Sequence, residues 1–452
     1  MAYEEPRASK LSRRRLLCRS IVLGAGLRAA TQRGEVEATS PFGERSEPPV
    51  QPGTRITIAI QTADRPKLQP LLDEYARLTM TTIEVRDGDY DDLFTRLNVN
   101  LTSATGSYDV VSLDDPWIPL FADGDFLLTL DDLIAETGLT TDDFVPRFLD
   151  LGRFPADGDL RALPWNGNLQ LFGLRPDVLA ELGLAAPVTW ADVLQNARAI
   201  ADARKADQRY GYGLGGAAGS AATNAFLPIL RGYGGDLVST VTWEPLLDEP
   251  QAFNAMGTLL DLCAQAPPGL EAIDDDTNWR NLRTGRVAQS ADIWLDQVLG
   301  AIAPSRATID EPIGIGSEPA QVGVTPQTMT GNWLFAIPKD SKNVDSALNL
   351  ILWFTAPSQQ QRLLLRHGIP PTRLSILRDQ ELLAQMPQLA IVADRVTDAR
   401  PRPRTPLYPL VEQIVGHNVS RAIARQLSGA EALERANTEI YDLMVREGEL
   451  KE

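Results

Sequence analysis

Five of the eight tryptophans stand close to an amide or a carboxylate: Trp117 after Asp114-Asp115, Trp165 before Asn166, Trp279 after Asn278, Trp294 after Asp292, and Trp333 after Asn332. That mixture suits a sugar. The C–H faces of a pyranose stack on indole, and its hydroxyls exchange hydrogen bonds with Asp, Asn, Gln and Arg inside a cleft that excludes water. Tryptophan is also highly buried on average, so for each of these residues the hydrophobic core is as good a home as a ligand. Trp190 and Trp353 fall on helical patterns and are read as structural.

The other chemistry-bearing residues are sparse. His367 and His417 are the only histidines, which limits acid-base work near neutral pH. Cys18 and Cys263 cannot build a disulfide framework or a zinc site, and Cys263 sits on the apolar side of a helical pattern. Gly211-Tyr212-Gly213-Leu214-Gly215-Gly216 matches the dinucleotide spacing, but a polar run, Lys205 to Arg209, stands where an apolar strand is required. Asp87, Asp89 and Asp91 begin like a calcium loop, yet Asp92 takes the glycine position and Asn98 the bidentate glutamate position. A solvated helix start is expected there. Ser220 lacks the frame of a nucleophile elbow. No metal, cofactor or catalytic residue is expected.

A chain of 452 residues exceeds what one core usually serves, so two lobes are the default. Its formal charge of −17 repels phosphate backbones and anionic lipid, which counts against nucleic-acid and membrane-surface partners. The N-terminus differs in character. Ser12-Arg13-Arg14-Arg15-Leu16-Leu17 is a twin-arginine signature, followed by the apolar Ile21 to Leu27 and the small pair Ala29-Ala30, which reads as an export signal. Cys18 precedes the apolar run, out of place for a lipid anchor. Pro41, Pro48, Pro49 and Pro52 mark a tether, and folding is expected to begin near Thr54.

Downstream, Ile56, Ile58 and Ile60 alternate as a strand, and Pro66 opens a helix with Leu68, Leu71, Leu72, Tyr75 and Leu78 on one face. A strand at 82–85, a helix at 90–102 and a strand at 109–113 follow, an α/β pattern. In such sheets ligands sit beyond the carboxyl ends of strands, which directs attention to Gln61-Thr62 and to Asp114-Asp115-Pro116-Trp117. A strand is expected at 169–174, a capping box at Thr189 and Asp192, and helices near 222–231, 250–264, 357–365 and 429–445.

The ordered segments "YDVVSLDDPWIPLFADGDFLLTLDDL", "DLRALPWNGNLQLFGLRPDVLAELGLAAPVTWADVL", "WRNLRTGRVAQSADIW", "TGNWLFAIPKDSKNVDSALNLILWFTAPSQQQ" and "HGIPPTR" resemble the extracellular solute-binding proteins of ABC transporters, in the sugar-binding family that includes maltose-binding protein. The resemblance spans about 54 to 445. It implies a two-lobed periplasmic-binding-protein fold of type II, with three hinge crossings near Trp165–Leu169, Gly331–Ala336 and Gly368–Arg373. Lobe 1 would take 54–165 and 333–372, lobe 2 would take 166–332 and 373–452, and 1–53 would be signal and tether.

Carried onto this sequence, the family's cleft loops are Gln61, Thr62, Asp114, Asp115, Trp117, Trp165, Asn166, Asp292, Trp294, Gly331, Asn332 and Trp333, with Arg373 a further candidate. Gln289-Ser290-Ala291 and Arg175 depart from the family pattern. The resemblance implies a monomeric, exported carrier that binds a sugar or oligosaccharide and delivers it to a membrane permease, without catalysis. Two alternatives stand beside it: a carrier for a polyamine or glycerol phosphate, and a polysaccharide-degrading enzyme working from paired carboxylates.

Overall fold

The chain lays down β1 (Arg55–Gln61), β2 (Thr82–Gly88), β3 (Val110–Asp114) and β4 (Ala162–Asn166) in one sheet. It then builds β5 (Leu169–Leu174), β6 (Gln289–Trp294), β7 (Gly314–Gly316) and β8 (Met329–Thr330) in another, and returns to the first with β9 (Trp333–Ala336). The computed structural model describes residues 52–303, 313–397 and 399–450, with backbone alone at Lys205. The expected export signal, Cys18 and nearly all of the tether lie outside the described residues.

In the first sheet, ordered β2-β1-β3-β9-β4, β1 runs parallel to β2 and β3, whereas β9 pairs antiparallel with β3 and β4. The central strands are buried on both faces, and β3, Val-Val-Ser-Leu-Asp, is buried at every position. The helix Arg65–Thr79 buries Leu68, Leu71, Leu72 and Tyr75. Leu78, expected on that face, is exposed two residues before the left-handed Met80 that ends the helix. The helix Tyr90–Thr102 matches its expected bounds and buries Leu93, Leu97 and Leu101.

The second sheet centres on β5, which pairs antiparallel with β6, β7 and β8. Its layer is helical. Trp190–Arg204, Ser220–Gly232, Pro250–Cys263, Tyr408–Ile423 and Gly429–Arg446 supply Trp190, Phe226, Leu259, Val415 and Ile440 to a second apolar cluster. The expected capping box is formed: Thr189 N donates to Asp192 Oδ2 at 2.9 Å, and Asp192 N to Thr189 Oγ1 at 3.2 Å. The left-handed Gly368 closes the helix Pro357–His367 as expected, with φ of 71°.

The chain passes between sheets at Gly167-Asn168, after β4, and at Gly331-Asn332, between β8 and β9. The third passage differs from expectation. Pro370 O accepts from Gly167 N at 2.9 Å, Thr372 O accepts from Val145 N at 2.9 Å, and the Thr372 hydroxyl donates to Pro164 O at 2.8 Å, so this stiff segment runs along the first lobe. Ile376, Leu377, Leu382, Leu389, Val392 and Ala399 then join the first apolar cluster, and only at Arg400, bridged to Met329 of β8, does the chain meet the second sheet. The described residues of 373–397, with Ala399, therefore pack on the first lobe. The Pro-Pro pair marks a stiff segment, not a crossing.

A cleft between the two sheets as candidate ligand site

The carboxyl ends of β1 and β3, the start of the antiparallel β9 and the start of the helix Tyr90–Thr102 face the starts of the helices Ser220–Gly232 and Asp275–Arg283 and the end of β6, across a cleft of about 1110 Å³. Strand ends and helix starts meet there because each strand hands its chain to a loop or helix on the same side, which is where α/β sheets collect ligands. Among the described residues no cluster of His, Cys, Asp and Glu is arranged to hold a metal ion.

Six of the thirteen residues expected at the site line this cleft: Gln61, Asp114, Asn166, Trp294, Gly331 and Trp333. Trp333, 7% exposed, presents part of its ring to the cleft and packs the rest edge-on against Trp117, with centroids 5.5 Å apart, and against Tyr90 at 6.1 Å. It is core and wall together. Gly331 has a different task from the one its position suggested. A Cβ there would collide with the six-membered ring of Trp294, so the glycine lets the crossing backbone lie flat on that indole. Gly331→Ala is expected to swing Trp294 aside, lowering stability by about 1–3 kcal/mol and shifting the tryptophan fluorescence; an unchanged spectrum and unchanged stability would contradict this.

The other seven stand elsewhere. Trp165 is fully buried, stacked on Phe335 at 5.3 Å and 16°, with its Nε1 donating to Ser112 Oγ at 3.0 Å. Trp117 is buried against Tyr90 and Phe94. Thr62 is exposed outside the cleft. Asp115 is buried, accepting from Asn332 N at 3.0 Å, and Asn332 is itself fully buried at the crossing. Asp292 is locked inside the second lobe, where Gly215 N and Asn278 Nδ2 each donate to it at 2.7 Å and the Ser290 hydroxyl donates as well. Arg373 lies over the Phe144 ring at 3.5 Å and donates to Thr355 O at 2.8 Å, beside a separate small hollow. These side chains hold the fold that shapes the cleft.

Asp114 is the most engaged of the lining residues. Its Oδ1 accepts from Arg402 Nη2 at 2.7 Å and its Oδ2 from the Tyr90 hydroxyl at 2.8 Å. Arg402, 2% exposed, also lies 3.5 Å from Asp115 and 3.9 Å from Glu412, joining the first sheet to the helix Tyr408–Ile423 of the second lobe. Burial raises the Asp114 carboxyl above its ordinary range, with Arg402 opposing the shift. Burial also carries Glu412 up to about 7. Across the cleft, Trp294 Nε1 donates to Asp275 Oδ2 at 3.1 Å, and burial, with the nearby Asp292 charge, raises Asp275 to about 7.

Lys67, Tyr90, Asp89, Asp91, Asp92, Ser220, Asn224, Asp274 to Asp276 and Arg402, absent from the expected site, also line the cleft, as does Trp279, which stood among the sugar-suited tryptophans but not among the thirteen. Two signals point to some of them. The Asp-rich stretch dismissed as a failed calcium loop is a helix start at the mouth of the cleft, and Ser220, dismissed as a nucleophile, begins another. Helix starts facing the ends of strands are the general rule for such sites.

Residues 59–361 match the model of the bacterial extracellular solute-binding protein family. A probable amino-acid ABC transporter periplasmic-binding protein of Sinorhizobium fredii is 25% identical over 388 residues, covering 84% of this chain and 86% of that protein. Among solved structures, a solute-binding protein of an Agrobacterium radiobacter ABC transporter, in complex with ribitol, superposes with a TM-score of 0.80 at 24% identity, covering 87% of this chain and 99% of the other. Maltose-bound MalE3 of T. maritima gives 0.78 at 22% identity, with 86% and 100% covered. The two sheets, the double passage of the chain between them and the cleft they enclose are accordingly those of a carrier rather than a hydrolase, and the chain belongs to the bacterial extracellular solute-binding proteins.

Proposed function

We propose that this carrier takes up a sugar or polyol in the cleft and delivers it to the permease of an ABC transporter. The observation that supports this most is the lining itself: three indoles, Trp279, Trp294 and Trp333, alternate with the amides Gln61, Asn166, Asn168, Asn224 and Gln297. Flat apolar rings beside neutral hydrogen-bonding groups match the two kinds of surface on a pyranose or an open-chain polyol. The likeness in fold to proteins solved with ribitol and with maltose agrees with this reading. A free phosphate ester fits less well, because Lys67 lies 3.0 Å from Asp64 and Arg402 is held by Asp114.

Binding from both lobes supplies the differential affinity that draws the lobes together about the crossings at Gly167-Asn168 and Gly331-Asn332. Export by the twin-arginine route and action as a monomer complete the proposal. Its test is a thermal-shift screen of the mature chain against a panel of sugars and polyols. A cognate solute at a hundredfold excess over its Kd stabilises by about 2.7 kcal/mol, which a melting curve resolves. A panel that shifts nothing would overturn the sugar and polyol reading.

A further inference from the structure

Charge in the cleft is lopsided. Nine aspartates line it, at positions 64, 89, 91, 92, 114, 274, 275, 276 and 296, against three cationic residues, Lys67, Arg283 and Arg402. Lys67 and Arg402 are held by aspartates of the cleft itself. Lys67 lies 3.0 Å from Asp64 and 3.8 Å from Asp296, and Arg402 bridges Asp114 and Asp115. Asp92 pairs with Arg96. Among the described residues no ion pair engages Asp89 or Asp91 on the first lobe, or Asp274, Asp275 or Asp276 on the second.

Acids at helix starts have an ordinary purpose, since they complement the helix dipole, and Asp274 does cap its helix by accepting from Thr277 N at 2.8 Å. The magnitudes show that this accounts for only part of the charge. A helix N-terminus carries roughly half a positive charge, while Asp89 and Asp91 at the first helix start and Asp274 and Asp276 at the second are without an ion pair, and Asp275, raised to about 7, adds only part of a charge. Net negative charge is left on both walls of one cleft.

Independent of charge, two buried amides in the same lining offer acceptors that no protein donor reaches. Asn166 is 1% exposed and Asn224 is 4% exposed, and the side-chain oxygen of each has no partner. Asn224 donates to Asp275, so its oxygen remains for something else. A buried acceptor without a donor is costly, which makes these positions suited to a ligand that brings N–H or O–H groups. The absence of any metal-holding cluster among the described residues favours an organic cation over a metal ion.

We propose that the natural solute is an amine-bearing sugar or polyol whose protonated amino group seats between Asp91 of the first lobe and Asp276 of the second, with Asn166 and Asn224 accepting from its remaining donors. This rests on the reading of the cleft as a sugar or polyol site and narrows it. A cation between two acidic walls would also remove the repulsion that opposes their approach, so the ligand's charge would contribute to closure as well as to recognition.

The test is titration calorimetry on the mature chain with matched pairs that differ by one amine: D-glucosamine against D-glucose, and D-glucamine against D-glucitol. The amine is expected to bind at least tenfold tighter in 50 mM salt, and the advantage to shrink severalfold in 300 mM salt as screening rises. The double variant Asp91→Asn, Asp276→Asn changes two exposed side chains and is expected to lower amine affinity at least tenfold. Neutral partners that bind as tightly as the amines, or amine binding that the double variant leaves intact, would overturn the amine inference while leaving the sugar site standing. No binding by either member of any pair, together with a flat thermal-shift panel, would remove both.

Discussion

Trp333→Ala is expected to lower the unfolding free energy by about 3–5 kcal/mol, the usual cost of truncating a buried aromatic side chain. The sequence leaves core and ligand contact equally open for this residue, and the family resemblance places it in a cleft loop. Its position against Trp117 and Tyr90, in the strand that joins β3 to β4, gives it both roles. Removing the indole leaves a cavity beneath the edge of the cleft, so the same substitution should also weaken solute binding by at least tenfold. Trp333→Phe keeps an aromatic ring against Trp117 and should recover most of the stability. Urea denaturation measures the first effect and calorimetry the second. A stability loss below about 1 kcal/mol would contradict the placement of Trp333 in the aromatic cluster.

Arg402→Met should be nearly as damaging, for an electrostatic reason. The guanidinium faces Asp114, Asp115 and Glu412, all buried, and removing it leaves three carboxyl groups without a cation. Breaking a buried pair in this way costs about 3–5 kcal/mol. The sign of the pH dependence follows from the carboxyls. The folded-state values of Asp114 and Glu412 already lie above their ordinary range through burial, and losing Arg402 removes the attraction that opposed the rise.

A carboxyl whose folded value is raised contributes stability that is fully present below its unfolded value and is lost as pH climbs through the folded one. The deficit of Arg402→Met should therefore be largest at pH 8 and shrink toward pH 5. Adding Glu412→Gln to the variant should recover part of the loss at pH 8. A deficit independent of pH would show that Arg402 acts through packing alone.

Much of the framework was legible because period and punctuation carry it. Apolar residues at helical spacing placed the helix Tyr90–Thr102 at its observed bounds, and the Thr189 and Asp192 pair announced the start of the helix Trp190–Arg204. The site was less legible for two physical reasons. Successive side chains on a strand point to opposite faces, so Trp165 enters the core while its neighbour Asn166 lines the cleft, and no local feature separates them until the sheet register is known.

The second reason is that partners far apart in sequence decide what a residue does. Asp114 looked like a free cleft carboxylate, and only the return of the chain at Arg402, 288 residues later, gives it a counterion. The segment Pro370-Pro371 announces stiffness equally well whether it crosses between lobes or, as here, is held to Gly167 and Pro164 of one.

Solute is expected in the cleft against Trp294, the indole that Gly331 supports from behind and whose Nε1 is fixed by Asp275. The most direct test is titration calorimetry of the best solute from the thermal-shift panel against the natural chain and against Trp294→Ala. A stacked ring is worth about 0.5–1.5 kcal/mol beyond its buried area, so the variant should bind at least tenfold more weakly while remaining folded. Equal affinity in the two proteins would place the solute away from Trp294.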